Sequence, residues 1–172
     1  MKRYLAIGVV AVAALAFPSF ASAQAGHFVG TPTCTDIGTQ VQCSGKVAGL
    51  GGTTFTITVA AQGTASVTCT NPAGNVAPGQ SFTTTTTGSS GPFPTPRSGQ
   101  TPFTVTSNAP SAPAGSCPNP RWTENITDLS FTSATITVQQ PPGTTVLTVS
   151  CVFSSPTSNG LVPSGNVSCT SS

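Results

Sequence analysis

The chain has 172 residues, of which 37% are hydrophobic, 6% aromatic and only 5% charged. That length suits one domain with a proper hydrophobic core, and so little charge offers no basic field to nucleic acid or an anionic membrane surface. One histidine and three acids exclude most hydrolytic machinery, which needs a base beside a nucleophile or carboxylates held as a pair.

At the N-terminus, Lys2-Arg3 precedes an unbroken run of apolar or small residues from Leu5 to Phe17, ended by Pro18 and followed by Ala21-Ser22-Ala23. A positive start, a short apolar stretch and small residues at a cleavage position make a secretory signal. A membrane span needs about 20 apolar residues, so the run is too short to be one. The expectation is a signal-peptide helix over 1–23 and a single extracellular domain over 24–172, with no membrane span after cleavage. In that domain Lys46, Arg97 and Arg121 balance Asp36, Glu124 and Asp128, while Thr supplies 30 residues and Ser 19. Hydroxyls rather than charges must therefore keep the surface wet.

Six cysteines follow the leader: Cys34, Cys43, Cys69, Cys117, Cys151 and Cys169. An even number in an exported chain implies a disulfide framework. A zinc site would show close cysteine pairs with histidines nearby, and these are absent, so no metal and no cofactor is expected. If Gly38-Thr39 is a two-residue hairpin loop with glycine first, as a type II′ turn requires, Ile37 faces Gln40. Counting outward, Asp36 faces Val41, Thr35 faces Gln42 and Cys34 faces Cys43. That last pair is non-hydrogen-bonded, with Cα atoms about 4.5 Å apart, within disulfide reach. The other four cysteines allow three pairings; Cys69–Cys117 with Cys151–Cys169 is preferred because it nests simply along the chain.

Beyond the hairpin the apolar residues alternate, the mark of half-buried strands. Phe55, Ile57 and Val59 oppose Thr54, Thr56 and Thr58; Val67 and Cys69 oppose Ser66, Thr68 and Thr70. Phe103 and Val105 come next, then Ala134, Ile136 and Val138, then Leu147, Val149, Cys151 and Phe153, with Val167 and Cys169 last. Leu129 and Phe131 have the wrong parity for Ala134 and Ile136, so a bulge is expected near Thr132-Ser133. Turns are signalled at Leu50-Gly51-Gly52, Gln62-Gly63, Pro72-Ala73-Gly74-Asn75, Pro78-Gly79 and Pro141-Pro142-Gly143. Many short strands between Gly/Pro turns predict an all-β, antiparallel two-sheet sandwich of the immunoglobulin-like kind. Long Pro/Ser/Gly-rich loops are expected at 88–100 and 107–120.

Two stretches carry a resemblance. Phe28-Val29-Gly30-Thr31-Pro32-Thr33-Cys34 leads into Cys43-Ser44-Gly45-Lys46-Val47-Ala48-Gly49-Leu50-Gly51, and Cys69-Thr70-Asn71-Pro72-Ala73-Gly74-Asn75-Val76-Ala77-Pro78-Gly79-Gln80 follows. The pattern resembles small secreted proteins of actinobacterial type. The resemblance implies export and carries no catalytic residue.

Few residues invite chemistry. His27 is the lone base and sits beside the expected new N-terminus, where chains fray; no G-x-S-x-G elbow occurs. The densest stretch is Arg121-Trp122-Thr123-Glu124-Asn125-Ile126-Thr127-Asp128. Glu124, Asn125 and Asp128 are oxygen donors of the kind Ca²⁺ takes. The simpler expectation is a connecting loop with an Arg121–carboxylate pair and Trp122 plugging the core. Trp122 and Phe93 are the only candidates for an aromatic platform, and Arg97 is a lone basic residue in the 88–100 loop. Thr83/Thr85/Thr87 and Thr135/Thr137 extend the Thr-x-Thr faces, which fit the solvent side of ordinary strands. Together these features predict a secreted, non-catalytic domain with a structural, adhesive or surface-recognition role. Its expected partner is a cell-envelope component, an extracellular polymer or a second copy. A secreted module for a carbohydrate or protein ligand, including a protease-inhibitor-like one, is the alternative.

Overall fold

A computed structural model describes residues 26–52, 54–95 and 99–172. The leader expected over 1–23, and Arg97, lie outside the described residues. Among the described residues eleven strands form two antiparallel sheets, with one short 3-10 turn at Ser164–Asn166.

The first sheet is centred on β3 (Val41–Ala48). Strands β1 (His27–Phe28) and β2 (Thr33–Asp36) follow one another along one edge of it, β7 (Gln100–Thr106) pairs along the other, and β10 (Gly160–Leu161) adds to β2. The second sheet is built on two 17-residue strands, β4 (Thr54–Thr70) and β8 (Thr123–Gln139). Outside β8 come β9 (Thr145–Phe153) and β11 (Val167–Ser171); outside β4 come β6 (Phe82–Pro94) and, further along, β5 (Val76–Pro78).

Alternation drives both layers. Phe55, Ile57, Val59 and Ala61 of β4 meet Leu129, Phe131, Ala134, Ile136 and Val138 of β8, and Val41, Cys43, Val47, Phe103 and Val105 of the first sheet close over them. Each such Val, Leu, Ile or Phe stabilises the fold by roughly 1.5–3 kcal/mol on burial. A smaller cluster of Val67, Cys69 and Cys117 lies at one end, with Phe82, Trp122 and Ile126 packed on it.

The hairpin register is as read from Gly38-Thr39: Asp36 faces Val41, Thr35 faces Gln42 and Cys34 faces Cys43. Gly38 has φ +92°, and the Ile37 N–H donates to the Gln40 carbonyl at 2.9 Å. All three expected disulfides are present, Cys34–Cys43, Cys69–Cys117 and Cys151–Cys169. The bulge is present too. Gln62 pairs with Ser133 and Gly63 with Phe131, leaving Thr132 as the extra residue that restores parity.

Four expectations need correction. Gln62-Gly63 is not a turn but the midpoint of continuous β4. A Cβ on Gly63 would lie 2.6 Å from the Ser130 carbonyl oxygen, so glycine there lets the bulged backbone of β8 come close. The loop expected at 88–100 is strand as far as Pro94, where Phe93 pairs with Phe55 and Pro94 with Thr54. An edge strand tolerates proline, because its missing N–H need not face a neighbour. Residues 123–128 are not a connecting loop either; they open β8 and pair with β4. His27, expected to fray, pairs with Ala48 in β1.

Candidate interaction surface

The outer side of the second sheet carries the alternate residues, and the register brings them into rows. One row runs Ser89–Thr58–Thr137–Thr148. The next runs Thr87–Ala60–Thr135–Ser150–Thr170, and the third Thr85–Gln62–Ser133–Val152–Ser168. No residue in these rows is charged. Neighbouring strands lie about 4.8 Å apart and alternate residues along a strand about 6.7 Å, so the hydroxyls form a close two-dimensional array. Thr135 and Ser150 share a 3.4 Å hydroxyl–hydroxyl contact. Each hydroxyl offers one donor and two acceptor positions. Such a face suits many weak hydrogen bonds to a neutral, hydroxyl- or amide-bearing partner.

The residues singled out from sequence are dispersed. Trp122 is half-buried against the Val67–Cys69–Cys117 cluster and so plugs a small core. Phe93 is half-buried and stacks on Phe55 with ring centroids 5.4 Å apart. Arg121 is exposed, and its backbone N–H donates to Asn119 Oδ1 at 3.0 Å. Glu124 pairs with Cys69, a core residue, whereas Asp128 pairs with Ser66 on the exposed side. The extra residue between them is Thr127; this bulge puts the two acids on opposite sides of the strand. They therefore cannot share an ion with Asn125, and no metal-holding group of three His, Cys, Asp or Glu occurs among the described residues.

Glu124 does line a cleft. With Asn125, Ile126, Thr39 and the Ala109–Ala112 segment it borders a space of about 380 Å³, within the size range of small-ligand sites. Its wall mixes one carboxylate, an amide and hydroxyls with apolar proline, alanine and isoleucine.

One polar group escaped the sequence analysis. Asp36 is only 1% exposed. Its Oδ1 accepts from the Gly38 N–H at 2.9 Å and its Oδ2 accepts from the Thr157 hydroxyl. Burial raises its carboxyl above the ordinary carboxylate value; the Thr157 and Gly38 hydrogen bonds pull the other way, and the charge of Asp128 adds to the rise. The only signal in the sequence was an acid at an inward hairpin position, two residues from Cys34.

Among the described residues no helix is long and apolar enough to cross a membrane. Three disulfides suggest an oxidising, extracellular setting. Comparison with protein-family models, curated proteins and solved structures finds no match.

Proposed function

We propose that the chain is an exported, non-catalytic domain with a structural, adhesive or surface-recognition role outside the cytoplasm. The 1–23 segment acts as its signal peptide in this proposal, and the sheet pair is a variant of the immunoglobulin-like sandwich. The supporting observation is the uncharged array of hydroxyls spread over five strands of the second sheet. A face without charge has no electrostatic reach and suits a neutral extracellular polymer, a cell-envelope component or a second copy. Fractionation of the native organism with cross-linking of the exported protein tests this. Wall retention or self-association is the expected result, and a single saturable soluble partner with no retention overturns it.

The cleft at Glu124 favours a second proposal, a secreted module for a carbohydrate or protein ligand. Its protease-inhibitor form rests on Arg97, which lies outside the described residues.

A further inference from the structure

We propose that Asp36 and Thr157 form a proton-sensitive clasp, biased by the nearby charge of Asp128, that fastens the β2–β3 hairpin of one sheet to β8 of the other. The geometry is a chain of hydrogen bonds across the gap between layers. Asp36, at the end of β2, accepts from the Thr157 hydroxyl. Thr157 Oγ1 accepts in turn from the Phe131 N–H at 2.8 Å, and the Thr157 N–H donates to the Phe131 carbonyl at 2.9 Å. A second tie runs beside it, the Leu129 N–H donating to the Gly38 carbonyl at 3.0 Å. Thr157 is itself buried, at 8% exposure, so water does not screen the seam.

Asp128 adds an unfilled acceptor. Its Oδ1 is buried without a hydrogen-bond partner, while Oδ2 takes only a 3.4 Å bond from Ser130. The negative charge of Asp128 disfavours ionisation of Asp36, adding to the larger effect of burial. Among the described residues Asp128 is the charged group that acts on Asp36; the hairpin's own charge, Lys46, lies near the far end of β3, and β10 and the segment around Thr157 carry none. The Thr157 contact survives protonation, because a hydroxyl can accept from a neutral carboxyl as readily as it donates to an ionised one.

The sign follows from burial. The Asp36 carboxyl is raised in the folded chain, so the folded state holds more protons than the unfolded one between the ordinary and raised values. Stability is therefore full below the ordinary carboxylate value and falls as pH rises through the raised one. The clasp is tight in acid and loosened at neutral pH.

Thermal unfolding of the oxidised protein from about pH 3.5 to about pH 7.5, a range starting below the ordinary Asp value, tests this. Amide-exchange protection is read at Gly38, Leu129, Phe131 and Thr157 over the same range. The wild-type midpoint is expected to fall toward neutral pH, with protection at those four amides falling alongside it. Asp36→Asn should flatten both profiles, and Asp128→Asn should reduce the slope without abolishing it. A wild-type midpoint that is level or rises with pH overturns the proposal, as does an Asp36→Asn protein that keeps the wild-type slope. If Asp36→Asn does not fold, the wild-type and Asp128→Asn profiles decide between the same outcomes.

Discussion

Two of the disulfides join residues that already face each other in a ladder, whereas Cys69–Cys117 joins a strand to a segment with no regular structure. Cys34 and Cys43 are register partners, as are Cys151 and Cys169, with Cα atoms 4.1 Å and 4.0 Å apart. Their strands stay aligned by backbone hydrogen bonds at the flanking pairs. Cys117 follows an irregular stretch tied elsewhere only near its ends: at Ser107 by bonds with Gln40 and Val41, at Asn108 by its N–H to the Thr87 carbonyl, and at Ser116 by the Gln80 N–H to its carbonyl. The same chemical bond thus reinforces order in two places and creates it in the third.

Removing the bonds one at a time tests that contrast. Cys69→Ala with Cys117→Ala opens a loop of 48 residues and is expected to cost about 4 kcal/mol in denaturant unfolding by the chain-entropy model. Proteolysis should then cut first between residues 107 and 116. If the segment stays protected, the other ties hold it and the contrast fails. Cys151→Ala with Cys169→Ala, closing 18 residues, should cost about 3 kcal/mol, with exchange rising in β11 alone. Cys34→Ala with Cys43→Ala, closing 9, should cost about 2.5 kcal/mol and leave the proteolytic pattern unchanged. At the small end, Thr137→Lys on the hydroxyl face should alter stability by no more than about 0.5 kcal/mol while abolishing retention on a neutral partner. Undiminished retention would move the interaction off this face.

Much of the fold was legible because its signals are local. Gly38-Thr39 fixes a register that carries Cys34 to Cys43, and the parity break between Phe131 and Ala134 announces the bulge at Thr132. Long strands hid where local composition misleads. Gly88 to Pro94 has loop composition but lies on an edge, where pairing on one side suffices. Gln62-Gly63 looks like a turn until the approach of Ser130 is known. The candidate residues fared less well. Glu124 and Asp128 seem neighbours until the bulge at Thr127 separates them, and no local pattern links Asp36 to Thr157 or Asp128. Contacts between distant parts of a chain leave no periodic trace.

Gly88, on β6 opposite Val59, packs against the backbone at the end of β7 in the other sheet. An ideal Cβ there would lie 1.9 Å from the Thr106 carbonyl oxygen and 2.8 Å from the Ser107 Cα. Backbone occupies the space on the far side, so no rotamer change relieves the overlap. Every residue a single base change can substitute for glycine carries a Cβ. A mutational scan should therefore find this codon among the least forgiving in the gene, although it codes for no side chain.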